Sequence, residues 1–108
     1  VAGPEAPLQR KIKAAVKEKW PGAYVVKYHG SDASEAGTPD LLMCVQGYFI
    51  ALEVKAPQPG ESLEHARGRA DKLQLYRIEQ IKKAGGHGAV VCSVEEAIEE
   101  ILWALPHT

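Results

Sequence analysis

The sequence predicts an α/β domain in which a mixed β-sheet carries helices on both faces, in the order helix, strand, strand, strand, helix, strand, helix. Three observations predict it. Apolar residues recur at helical spacing near residue 10, near residue 78 and near the C-terminus. Short β-branched and aromatic runs lie between these stretches, and two of the runs are joined by Gln46-Gly47, which marks a hairpin. At 108 residues the chain is read as one domain spanning 1–108, since a split would leave two fragments too small to stabilise.

The elements follow in order. Leu8, Ile12, Ala15 and Val16 share a helical stripe, so a helix is expected from Pro4 or Pro7 to about Lys19, stopped by Pro21-Gly22. Ala23 to His29 holds Tyr24, Val25, Val26 and Tyr28 and reads as a strand; Gly30 to Thr38 reads as a loop. Leu41 to Val45 and Tyr48 to Lys55 form the hairpin, because the glycine of the linker tolerates positive φ. Residues 56–70, with Pro57, Pro59, Gly60 and Gly68 among charges, have neither period and are expected as a mobile surface loop. A helix from Asp71 to Ala84 starts on an Asp cap and stops at Gly85-Gly86. Ala89 to Cys92 is expected as a buried strand, and Ser93-Val94-Glu95-Glu96 opens a last helix ended by Pro106.

Composition narrows the function classes. The chain is 45% hydrophobic and 25% charged, values of a globular protein rather than a disordered one. No apolar run is long enough to span a bilayer and no charged-then-apolar leader opens the sequence, so a cytoplasmic protein is expected. Cys44 and Cys92 lie in strand-like runs without zinc-ligand spacing and read as buried free thiols. The net charge of −1 argues against a nucleic-acid partner until its distribution is considered. Arg10, Lys11, Lys13, Lys17, Lys19 and Lys27 cluster early, while Glu95, Glu96, Glu99 and Glu100 crowd the tail. Such a basic face suits phosphate and equally suits solvent.

The chemistry-bearing residues sit where the hairpin opens. Alternate residues of a strand share a face, so Glu53 and Lys55 project together while Val54 points the other way, and Asp40 can approach Glu53 from the adjacent strand. Two carboxylates held together repel unless a cation lies between them. A hard divalent ion takes such oxygens, and a lysine beside it can neutralise charge on a phosphate or assist a water. The competing reading is a turn plus a solvated acid–lysine pair. Burial favours the metal-site reading: Ile50 to Lys55 is the most apolar strand, where an unpaired charge is costly.

The string Gly37-Thr38-Pro39-Asp40-Leu41-Leu42 followed by Glu53-Val54-Lys55 resembles the PD-(D/E)XK nuclease superfamily with its restriction-endonuclease-like fold. The whole order is similar to the VRR-NUC family of stand-alone phage and bacterial proteins: Glu5 before a helix containing Gln9, then Pro-Asp, Glu-x-Lys, a helix start carrying Gln74, an apolar strand, and Ser with acids. The resemblance runs from Glu5 to about Trp103. It implies metal ligands at Asp40, Glu53, the Val54 carbonyl and Glu5, with Lys55, Asp40, Glu53 and Gln74 as catalytic residues. It implies Mg²⁺, with Mn²⁺ able to substitute, and DNA contacts expected at Lys11, Arg67, Arg69 and Lys72. It further implies a homodimer acting on branched DNA such as Holliday junctions, since a two-fold axis matches a symmetric junction.

Two departures stand out: Asp71 replaces a usual Ser, and the 56–70 segment is long, with His65, Arg67 and Arg69 placed to touch substrate. Glu5 and Gln74 keep structural alternatives. Glu5 is a terminal residue if the helix starts at Pro7, and Gln74 sits at capping-box spacing from Asp71. The rival functions are a non-catalytic DNA-binding or assembly module and a restriction-type endonuclease, the latter lacking room for a recognition insert.

Overall fold

The computed structural model describes residues 3–29 and 35–106; residues 30–34 of the expected 30–38 loop lie outside them. The strands are β1 (Tyr24–Lys27), β2 (Leu41–Val45), β3 (Tyr48–Val54) and β4 (His87–Val91), and the helices are α1 (Ala6–Lys19), α2 (Leu63–Arg67), α3 (Lys72–Lys83) and α4 (Val94–Ala104). They build a four-stranded sheet in the order β1-β2-β3-β4, antiparallel except for the parallel β3–β4 pair.

Strand alternation divides the sheet into two unlike faces. Leu41, Met43 and Val45 of β2 and Ile50, Leu52 and Val54 of β3 point to one side, where α1 and α4 close over them with Ile12, Val16, Ala97 and Ile101. That side holds the main core. On the other side α3 lies over Ala51 and Gly88: a Cβ at Gly88 would sit 3.2 Å from Ile78 Cγ2, so the glycine allows the helix to come this close.

The hairpin follows its turn chemistry. Gln46 (φ 52) and Gly47 (φ 88) both adopt positive φ, the left-handed pair that a two-residue connection between twisted strands requires. The fourth strand starts at His87, two residues before the expected position, because parallel pairing of Ile50 with His87 and Ala51 with Gly88 extends the ladder through a glycine that propensity disfavours.

Two expectations are corrected. Cys44 is exposed, not buried: alternation turns Met43 and Val45 into the core and Cys44 outward, whereas Cys92 is buried as expected. The 56–70 segment is not wholly irregular. Ser62 accepts a hydrogen bond from His65 N–H (3.0 Å) and starts the five-residue α2. The Arg69 guanidinium then grips both Glu61 oxygens (3.0 Å each) and the Ala56 carbonyl (2.6 Å), closing the segment on itself. At the start of α4, Ser93 accepts from Glu96 N–H, but the Glu96 carboxylate reaches past Ser93 to accept from Cys92 N–H (2.8 Å).

Candidate active site

Asp40 stands one residue before β2, and the register Leu41 to Leu52 brings it opposite Glu53 at the open end of the hairpin. Asp40 Oδ2 accepts the Val54 N–H at 2.9 Å, which locks the carboxylate against β3. Glu53 is only 2% exposed. Its Oε2 accepts from Gln74 Nε2 (3.0 Å) and lies 3.4 Å from Lys55 Nζ. Its Oε1 is buried and, among the described residues, finds no hydrogen-bond partner. The Lys55 backbone is itself pinned, since its N–H donates to the Val91 carbonyl at 3.0 Å.

Burial pushes the Glu53 carboxyl up to about 8, and the negative charge of neighbouring Asp40 adds to this by repulsion. Lys55 opposes the shift without cancelling it. Without a cation, Glu53 therefore holds a proton at neutral pH, and a buried oxygen without a partner waits beside a second carboxylate. This is the condition a divalent ion relieves, because it replaces the proton and supplies the missing partner. The donor set fits: hard carboxylate oxygens, with the Val54 carbonyl next in the chain.

Gln74 makes the capping contact its spacing allows and also touches Glu53. Its Oε1 accepts from Asp71 N–H (3.0 Å) while its own N–H donates to Asp71 (2.8 Å), a complete capping box. The amide nitrogen left over is the one that reaches Glu53. The Asp for Ser replacement thus preserves the helix start that aims Gln74.

The other expected residues are less concentrated. Glu5 occupies the N-cap position of α1 without a side-chain cap bond. Among the described residues no group of three or more His, Cys, Asp or Glu side chains stands in a metal-holding arrangement. The Glu5 charge reaches Arg69, whose guanidinium it helps hold in the charged form. Arg69 is engaged by Glu61 and Ala56, and Arg67 pairs with Glu96, which leaves neither as a bare phosphate contact. Lys11 and Lys72 are exposed, Lys72 at the first turn of α3 two residues from Gln74.

Glu61 and Arg77 carry structural roles that the sequence did not single out. Arg77 donates to the Ala36 carbonyl (3.0 Å), Glu35 (2.8 Å) and Gln80 (2.8 Å), tying the approach to Asp40 onto α3. No periodicity distinguishes either residue from a surface charge, since their partners come from distant segments.

No family model and no curated protein matches the sequence. Solved structures do. One described as "VRR_NUC domain" is 27% identical, with a TM-score of 0.62, over 94% of this chain and 97% of its own. Another described as "VRR_NUC domain protein" is 19% identical, with a TM-score of 0.64, over 97% and 90%. With alignment nearly end to end and the Pro-Asp and Glu-Val-Lys strings meeting at one hairpin mouth, the chain shares the restriction-endonuclease-like fold of these VRR_NUC domain structures, which supports its resemblance to the VRR-NUC nucleases.

Proposed function

We propose that the chain is a divalent-metal-dependent endonuclease that hydrolyses phosphodiester bonds in DNA. The observation that carries this reading is the buried, unpartnered Glu53 Oε1 beside Asp40, with Lys55 and Gln74 both committed to the other Glu53 oxygen. Protein donors occupy Oε2 and so turn Oε1 toward the role of ligand.

Asp40, Glu53 and the Val54 carbonyl would hold Mg²⁺ or Mn²⁺, which when bound polarises a phosphate and makes water a better nucleophile. The protein groups then have separable tasks. The Val54 N–H orients Asp40, and Gln74 orients Glu53. The Lys55 side chain is 14% exposed beside Glu53, placed to steady the attacking water or the charge growing on the phosphate. The Asp40–Glu53 pair favours catalysis over a purely binding module, because clustered acids repel phosphate unless a cation intervenes. A homodimer addressing branched DNA such as a four-way junction is the finer form of the proposal, and it rests on the family resemblance of the sequence rather than on a feature of this structure.

The test is a cleavage panel of linear duplex, flap, splayed-arm and four-way DNA with Mg²⁺, Mn²⁺ or chelator. Metal-dependent cleavage lost in Lys55→Ala is expected. Cleavage that survives both chelation and Lys55→Ala would overturn the assignment. A monomer by sedimentation that cuts linear duplex and junction equally would contradict the branched-DNA form.

A further inference from the structure

The strand register extends the catalytic row into a second surface. On the face bearing Asp40 and Glu53, the next row contains Val26, Leu42 and Ala51, and the row after it contains Tyr24, Cys44 and Phe49. Helix α3 covers only the β3–β4 side of this face. Tyr24 is consequently 68% exposed and Phe49 44% exposed, an unusual state for aromatic rings in a sheet. At about 3.3 Å per residue, Phe49 lies roughly 13 Å along β3 from Glu53.

Between this face and α3 runs a groove of about 470 Å³, floored by Leu42 and Phe49 and walled by Gln80 and Ile81, with Thr38 and Pro39 closing the end next to Asp40. Its end wall is built rather than incidental. Gly37 adopts φ 80 against α3, where a Cβ would lie 2.7 Å from Leu73 Cγ. Arg77 clamps Ala36 and Glu35 from the helix, and Thr38 Oγ1 donates to the Glu35 carbonyl (2.7 Å). Arg77 also takes the Gln80 amide oxygen, so the Gln80 amide nitrogen keeps its hydrogens to donate.

The geometry points to this groove as the subsite for an unpaired nucleotide of the substrate strand adjoining the scissile phosphate, its base stacked on Phe49. The inference rests on the nuclease reading of Asp40 and Glu53 and adds a substrate class: DNA with single-stranded character beside the cut. The volume falls in the range of small-molecule sites and accommodates a nucleotide. The floor offers an aromatic face, and the walls offer amide and hydroxyl groups suited to base edges. A base held within a duplex could not enter, because its faces are already stacked on its neighbours. The groove ends at Pro39, next in the chain to Asp40, and α3 borders both it and the site through Gln80 and Gln74, so the groove is the neighbouring surface for a strand anchored at Glu53.

The test uses the full chain carrying Lys55→Ala and flap DNA with 2-aminopurine one, two or three nucleotides from the branch. Quenching at a particular position is expected, lost together with about fivefold or more of the affinity in the added Phe49→Leu variant, which keeps an apolar side chain against Gly86. In a chain with intact Lys55, Phe49→Leu should reduce the flap-to-duplex cleavage ratio. Position-independent fluorescence, or flap affinity unchanged by Phe49→Leu with melting behaviour preserved, overturns the inference. So does a Phe49-dependent self-association without quenching, which would make a second copy the occupant. If the unaltered chain cuts nothing with Mg²⁺ or Mn²⁺ but Phe49-dependent quenching persists, the nuclease reading fails and the nucleotide groove stands. Cleavage without quenching has the opposite meaning: the nuclease reading stands and the nucleotide groove fails.

Discussion

Replacing Glu53 with Gln should stabilise the metal-free protein at alkaline pH and flatten its stability profile. In the folded chain the carboxyl is displaced from 4.5 to about 8, chiefly by burial and then by Asp40. The folded state therefore binds the proton more tightly than the unfolded state, and stability is fully present below about 4.5 and lost as pH rises through 8. A displacement of this size corresponds to roughly 3–5 kcal/mol once the pH has passed 8, a large share of the 5–15 kcal/mol typical of a domain. Glutamine keeps the shape and can hold a hydrogen bond with Asp40, but it cannot ionise. Urea unfolding of the two chains, followed by fluorescence of Trp20 and Trp103 from pH 5 to 8.5, measures the difference. The parent should lose up to about 1.4 kcal/mol per pH unit relative to Glu53→Gln across this window. Saturating Mn²⁺ should abolish the loss in the parent alone, since the cation takes the proton's place. Parallel pH profiles for the two chains would refute the reasoning.

Other perturbations separate catalytic from structural roles. Lys55→Ala should lower single-turnover DNA cleavage about 10²- to 10⁴-fold with little change in melting, the range for loss of a positioned acid–base group. Gln74→Glu should retain the capping contact to Asp71 and helix content by circular dichroism yet lose cleavage, because it sets a carboxylate against Glu53; Gln74→Ala should additionally cost about 1 kcal/mol in urea unfolding. Arg69→Met should raise the Glu61 carboxyl from about 2 toward its ordinary value, seen by NMR titration, since Arg69 is the main cause of its depression. The stability that Glu61 contributes is present above about 4.5 and lost as pH falls toward 2, so the variant should lack this acid-range loss. Gly37→Ala should destabilise by at least about 1 kcal/mol in urea unfolding, because alanine resists φ 80 and its Cβ meets Leu73.

Much of this was legible because it depends on local rules. Asp71 and Ser93 begin helices by capping, Gln46-Gly47 turns the hairpin by accepting positive φ, and the alternation of β2 and β3 assigns the core face. The same alternation places Glu53 and Lys55 together, and the hairpin register brings in Asp40. Where the expectations failed, a distant partner was responsible. Residues 56–70 carry no period, yet Arg69 organises them by gripping Glu61 and Ala56. Cys44 has the apolar neighbours of a buried residue, but among the described residues no element covers that part of its face.

The sequence alone determined the α/β class, the order of its main elements and the Asp40, Glu53 and Lys55 set, since propensity, period and turn chemistry act between near neighbours. Only the tertiary structure decided that Gln74 caps its helix and contacts Glu53 at once, and that Arg67 and Arg69 are already paired. These outcomes depend on which side chains from remote segments share one volume, and on the lone buried oxygen of Glu53 that results. Burial and hydrogen-bond satisfaction are properties of the packed chain, not of any window of sequence.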